Sequence, residues 1–213
     1  MAEGVYKITE QFEQAICDYT CAPFCVALDN CSNALFLALL YEGVKDKIVT
    51  IPSRTYMSVP CSIIHAGGKV KFAPMAKKTL TGAYQLEPTS VWDASLRFTH
   101  NMYIKGAFMC LSFTGPYKHL KLGKGGAILT DDKDAYEWFK RARFSGRREC
   151  SYHDDTFDML GFNFYMMPEI AARGLLLMTQ FYDLEGNPKH NADKTIPYPD
   201  LSKSEAYRAN CAV

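Results

Sequence analysis

The feature that most limits what this chain can fold into is its regular exchange of short apolar runs with amphipathic or apolar helical stretches. Phe24 to Leu28 reads as a buried strand, and Asn33 to Glu42 as an apolar helix that stops at Gly43, with Ser32 as its N-cap. Lys47 to Ile51 and Lys69 to Phe72 read as strands on either side of a helix from Tyr56 to Ala66. Ser90 to Trp92, Ala107 to Ser112 and Ala127 to Thr130 read as further strands, and Asp134 to Arg143 as a helix. A helix over Ile8 to Tyr19 precedes them, and Pro168 opens another over Glu169 to Phe181. This alternation predicts an α/β fold: a mostly parallel sheet with helices on both faces. Met75 to Pro88 reads as irregular, and the stretch from Gly186 onward, polar and proline-rich, as an extended or partly disordered arm. The expected division is a compact domain over 1–185 and a C-terminal arm over 186–213.

Composition narrows the function classes. With 24 basic and 23 acidic residues among 213, the formal charge is +1 and no basic face is implied, so nucleic acid is a poor partner. The start, Met1-Ala2-Glu3-Gly4, shows no signal peptide, and no apolar run approaches the ~20 residues that span a bilayer. The chain reads as cytoplasmic, with no membrane partner. Cys17, Cys21, Cys25 and Cys31 lack paired zinc-ligand spacing. The eight cysteines are therefore expected to be thiols packed as small hydrophobes, with neither metal nor disulfide.

Ligands of open α/β sheets gather beyond the carboxyl ends of the strands, and several polar residues fall there. Asn30-Cys31-Ser32 leads into a helix whose first amides, with the Ser32 hydroxyl, suit a phosphate. Asp93 ends a strand and suits a cationic ring nitrogen. Tyr56 suits stacking on a planar group, and Ser112 offers another hydroxyl at a strand end. Lys118 lies between a strand and the glycine-rich turn Gly123-Lys124-Gly125-Gly126; a desolvated amine there serves as nucleophile and then as base. Asn163, in Gly161-Phe162-Asn163-Phe164, is either an inward amide or a turn residue. It precedes a helix with the small residues Ala171, Ala172 and Gly174, which let another element come close.

Together these segments resemble, in order from about Phe12 to Met178, the DegT/StrS-type sugar-nucleotide aminotransferases, which use pyridoxal 5'-phosphate (PLP) and have the aspartate-aminotransferase fold. Asp29-Asn30-Cys31-Ser32-Asn33-Ala34-Leu35 resembles the family's phosphate loop, and Pro52-Ser53-Arg54-Thr55-Tyr56 its segment with the stacking aromatic. Asp93-Ala94-Ser95 resembles its Asp-Ala-Ala element, and Ser112-Phe113 through Lys118-His119-Leu120 to Gly126 its Schiff-base lysine segment.

The resemblance implies a reduced large domain of PLP fold type I with most of the small C-terminal domain missing. It implies that Lys118 is the Schiff-base lysine, that Asp93 faces the pyridine nitrogen and that Tyr56 stacks. Cys31, Ser32 and Ser112 would hold the phosphate, joined by Asn163 from the second subunit of a homodimer. The implied reaction moves an amino group, from glutamate, to a nucleotide-linked keto sugar. The alternatives are a non-catalytic partner subunit or scaffold, and a PLP enzyme acting on an amino acid. Relatives that deoxygenate sugars carry histidine at the lysine position; here Lys118 holds it and His119 follows. The chain departs from the family at Leu96, where a glutamine or histidine is usual, at Tyr165 for arginine, and at the extra Gly115. It also lacks a strand–helix unit between Phe72 and Asp93.

Overall fold

The structure, a computed structural model, describes residues 3–190 and 196–208. In chain order the elements are α1 (Glu3–Thr20), β1 (Phe24–Leu28), α2 (Cys31–Tyr41), β2 (Ile48–Pro52), α3 (Ser58–His65), β3 (Lys69–Ala73), β4 (Thr79–Leu80), β5 (Ala83–Gln85), β6 (Val91–Asp93), β7 (Phe108–Ser112), β8 (Gly126–Thr130), α4 (Lys133–Ala142), α5 (Pro168–Met178) and the short α6 (Glu205–Arg208). Most expected elements are present with ends shifted by a residue or two. Two readings are corrected. Met75 to Pro88 contains the hairpin β4–β5, and α2 is capped by Asn30, whose side chain accepts the Asn33 N–H at 2.8 Å, so Ser32 lies inside the helix. An asparagine and a serine two residues apart are both good caps, and the sequence alone does not separate them.

The strands form a six-stranded sheet in the order β1-β8-β7-β6-β5-β4 and a separate parallel pair, β2-β3. The α/β class holds, but the main sheet is mixed rather than mostly parallel: only β6 and β7 pair in parallel, and the other four pairings are antiparallel. The reason is the connections. A parallel return needs a crossover, usually a helix, whereas β8 follows β7 through the helix-free segment 113–125, and β5 follows β4 through a tight turn. Because β8 is antiparallel to both β1 and β7, the strands β1, β6 and β7 still run in one direction and end at one edge. Between β3 and β6 the chain places only the hairpin and no helix, matching the strand–helix unit missing from the sequence. The β2-β3 pair is joined to the main sheet through Thr50 and Glu87, whose backbones exchange hydrogen bonds of 2.7 and 3.0 Å.

Side chains alternate along the strands between two cores, as period-2 geometry demands. Cys25, Ala27, Met109, Leu111, Ala127 and Leu129 pack with Phe12, Ile16 and Tyr19 of α1 and Ala171 of α5. Val26, Leu28, Phe108, Cys110 and Ile128 pack with α2, α3 and α4. Helices thus cover both faces, and the central strands β6, β7 and β8 are buried except at Ser112. The small residues of α5 do what their size suggests: a Cβ on Gly174 would lie 2.5 Å from the Phe12 ring, so its absence lets α1 and α5 close. Cys17, Cys25, Cys31 and Cys110 are buried thiols, while Cys21 is exposed.

The arm is partly ordered against the domain. Leu201 donates its N–H to the Ser53 carbonyl at 2.8 Å, Arg54 donates to the Tyr198 carbonyl at 3.1 Å, and the Tyr207 hydroxyl donates to the Met57 carbonyl at 2.9 Å. The arm's residues 191–195 and 209–213 lie outside the described residues. No described helix is long and apolar enough to cross a membrane.

Strand β1 is the edge of the main sheet, and a buried ion cluster satisfies its outer backbone at Ala27. Glu13 of α1 accepts the Ala27 N–H at 2.8 Å, while Arg143 donates to the Ala27 carbonyl at 2.6 Å and to Glu13 itself. Arg143 also pairs with Glu149 at 2.9 Å, which Lys140 holds from the other side. Paired this way, an edge that would otherwise expose ladder groups is closed. Removing one member leaves a buried charge without its counter-charge, which costs about 3–5 kcal/mol. Arg143→Ala is therefore expected to lower unfolding free energy by that amount in urea titration, and adding Glu13→Gln to recover part of it. A loss below about 1 kcal/mol, the scale of an exposed pair, would show that the cluster does not hold the edge.

Candidate functional site

Beyond the common edge of β1, β6 and β7 lies a cavity of about 390 Å³. Its wall includes Cys31, Ser32, Tyr56, Asp93, Ser112 and Lys118, so six of the seven residues expected from the sequence come together. Asp93 and Ser112 are the last residues of the parallel neighbours β6 and β7, and Cys31 and Ser32 open α2 just after β1. Asn163 is not brought here: it is exposed, and its backbone bridges to Phe144.

One end of the cavity is rich in hydroxyls and helix starts. The Ser32 hydroxyl donates to that of Ser58, the first residue of α3, at 2.7 Å, so the N-termini of α2 and α3 converge. Asn30, Ser112 and Thr114 add polar groups. Two helix N-termini and several hydroxyls make a site for an anion such as phosphate. The start of α2 lies this close to β8 because residue 126 has no side chain: a Cβ on Gly126 would meet the Asn30 carbonyl carbon and the Cys31 nitrogen at 2.5 Å. This gives the final glycine of the Gly123-Lys124-Gly125-Gly126 turn a steric role.

The charged centre is tied together by one residue's backbone. Ser95 donates its N–H to Asp93 Oδ1 at 3.0 Å, and its carbonyl accepts from Lys118 Nζ at 2.7 Å. Burial pushes the Lys118 ammonium below its usual range, opposed by the fields of Cys31 and Asp93. Burial drives the Cys31 thiol well up, assisted by Asp93, so Cys31 is neutral near pH 7 and the anion beside Lys118 is Asp93. The arrangement pairs an amine with raised free-base fraction and a buried carboxylate, next to an anion site.

Several wall residues escaped the sequence reading. Tyr198 and Ile196 come from the arm, and the Tyr198 ring meets Tyr56 edge-on at 6.2 Å between centroids. Burial, then the field of Asp93, lifts the Tyr198 phenol to about 12. Behind the wall, partly buried Tyr84 of β5 donates to Asp93 Oδ2 at 3.0 Å and bonds Thr55, the residue before Tyr56. A long-range arm and a three-residue strand leave no local pattern to read. Leu96 is buried and gives its N–H to Gly82, and Arg97 donates to the Thr81 carbonyl, so neither is part of the cavity wall. Among the described residues no group of three or more His, Cys, Asp or Glu is placed to hold a metal.

The chain is 22% identical to UDP-4-amino-4,6-dideoxy-N-acetyl-beta-L-altrosamine transaminase of Campylobacter jejuni, over 94% of its own length and 67% of that protein. It is 37% identical over 73 residues to the spore coat polysaccharide biosynthesis protein SpsC of Bacillus subtilis, covering 33% of this chain and 18% of that one. In three dimensions it superposes with TM-score 0.67 and 15% identity on Helicobacter pylori PseC, an aminotransferase involved in the biosynthesis of pseudoaminic acid, covering 81% of this chain and 57% of that one. The chain thus spans about two thirds of the curated transaminase and less of the solved one. The profile of the DegT/DnrJ/EryC1/StrS aminotransferase family matches residues 3–92 and 102–199, and the chain belongs to that family.

Proposed function

We propose that this chain binds PLP in the cavity at the β1, β6 and β7 edge and acts as an aminotransferase on a nucleotide-linked keto sugar. Glutamate is the amino donor, and the working form is a homodimer in the cytoplasm. The observation that carries this reading is the convergence of Lys118, Asp93, Tyr56 and the hydroxyl-rich helix starts on one cavity. Those residues fit the cofactor: an anion site for its phosphate, a carboxylate for its ring nitrogen, an aromatic wall and an amine for its aldehyde. The substrate class follows from what the Campylobacter and Helicobacter relatives are named for. The glutamate donor rests on the resemblance seen in the sequence. Asn163, exposed and outside its own cavity, is available to a second copy, which supports the dimer.

When bound, PLP supplies an electron sink that stabilises negative charge on the substrate carbon. The chain's own residues do the rest. Asp93 would hold the ring nitrogen and favour its protonated form through a buried negative charge. Asn30, Ser32, Ser58, Ser112 and the first amides of α2 and α3 hold the phosphate. Tyr56 fixes the ring plane. Lys118 Nζ would be the amine that holds the cofactor's aldehyde, and as a free base it would accept and return a proton at the substrate carbon. Burial lowers its basicity, which raises the share of free base this transfer needs.

Two measurements check the proposal. Purified protein with added PLP is expected to develop a visible absorption band that bleaches with glutamate and is missing in Lys118→Ala, with turnover reduced by at least ~10²-fold. A keto sugar nucleotide assayed beside a 2-oxo acid then separates a sugar enzyme from an amino-acid enzyme, and a wild type with no band would favour the scaffold reading. The second measurement is pH-dependent. The rate of covalent PLP attachment is expected to rise with pH through a midpoint below the ~10.4 of a free lysine, because the neutral amine is the reactive form. Asp93→Asn removes the charge that favours the ammonium, so its midpoint is expected to move lower; an upward move would contradict the assigned electrostatics.

A further inference from the structure

Tyr84 lies on β5, in the stretch where this chain carries a short hairpin. In the antiparallel β5–β6 pair it stands directly opposite Asp93, so the two side chains lie on the same face of the sheet. The hairpin is held to the segment after Asp93, because the Leu96 N–H reaches the Gly82 carbonyl at 3.3 Å. The Tyr84 hydroxyl meets two partners, Asp93 Oδ2 at 3.0 Å and the hydroxyl of Thr55, which is itself buried.

Proton counting sets the direction of these bonds. An ionised carboxylate only accepts, so the single phenolic hydrogen of Tyr84 goes to Asp93, and Thr55 donates to the Tyr84 oxygen. The result is a directed chain from Thr55 to Tyr84 to Asp93. It begins beside Tyr56, the stacking residue, and ends on the carboxylate. The other Asp93 oxygen takes the Ser95 N–H, so the carboxylate is held from both sides. Burial and the nearby Asp93 push the Tyr84 phenol well above its usual range, which keeps the hydrogen on the phenol.

We infer that Tyr84 is a positioning residue of this site: its phenol, oriented by Thr55, fixes the Asp93 carboxylate that the cavity presents to the cofactor's ring nitrogen, and couples it to the Tyr56 wall. The inference rests on the PLP reading above. Tyr84 touches no cavity space itself and acts only through Asp93 and Thr55.

The test is equilibrium binding to the apo protein, read by fluorescence, of PLP and of its analogue in which CH replaces the ring nitrogen. Tyr84→Phe keeps the ring and loses only the hydroxyl. Loss of a hydrogen bond to a charged group predicts PLP binding weakened by about tenfold, with the analogue changed by less than about twofold. In an Asp93→Asn background the same substitution is expected to have no further selective effect, since the residue it acts through is gone. Equal weakening of both ligands, or no change in either, would overturn the inference, because a residue that only shapes the cavity cannot sense the ring nitrogen. Should Tyr84→Phe fail to fold, Thr55→Val carries the test: it leaves Tyr84 in place, and a smaller loss with the same PLP selectivity is expected. A wild type that binds neither ligand would overturn the cofactor reading and this inference together. A wild type that prefers PLP, with a Tyr84→Phe protein that keeps that preference, would overturn the inference alone.

Discussion

The site depends on three strands ending together. Strands β1, β6 and β7 run in one direction, and from their last residues come the start of α2, Asp93 and Ser112. The strand between β1 and β7 runs the other way, so its first residue, Gly126, lies among their ends. That residue must be small, because the Asn30–Cys31 peptide occupies the place of its missing side chain. Register matters as much as direction. A slip of one residue would send the two sets of side chains to the wrong cores, and Asp93 would exchange places with Trp92, its buried neighbour. The two cores on either face, each built from alternate strand residues, therefore hold Asp93 in position at the edge.

Within the cavity, opposed electrostatic effects are balanced by geometry. A lysine and an aspartate in one partly dry space would normally be locked as an ion pair, and a locked ammonium is a poor nucleophile. Here both bond to Ser95 instead: its N–H serves Asp93 and its carbonyl serves Lys118. Asp93 is further occupied by Tyr84. With both oxygens engaged by neutral donors, the carboxylate is stabilised without drawing wholly on the lysine, and burial dominates the shift of the Lys118 amine. Neutral hydrogen bonds to a buried carboxylate thus leave the amine reactive.

What the sequence made legible follows from how local each signal is. Cys31, Ser32, Tyr56, Asp93, Ser112 and Lys118 each sit at a strand end or helix start within a short ordered segment, and all six line the cavity. Pairing direction was not legible, because the apolar run Gly126 to Thr130 looks the same whether it joins as a parallel or an antiparallel strand. The hairpin strands, of two and three residues, are too short to show a period of two, so Tyr84 passed as part of an irregular stretch. Tyr198 reaches the site through its backbone contact with Arg54, a long-range pairing with no trace in local composition. Asn30 and Ser32 were both credible caps, and only the fold shows that Asn30 takes the Asn33 N–H.

The β4–β5 hairpin and the C-terminal arm both return to the same site. Between β3 and β6 the hairpin places a partly buried tyrosine behind Asp93. After α5 the arm crosses in front, where Leu201 and Tyr207 pack down and Ile196 and Tyr198 face the cavity. Each adds a phenol, and both phenols are held in their neutral form by burial and the field of Asp93. A neutral phenol adds a hydrogen-bond donor without adding charge. Tyr198 therefore lines the cavity and Tyr84 braces Asp93 from behind it, while Lys118 and Asp93 remain the charged centre of the site.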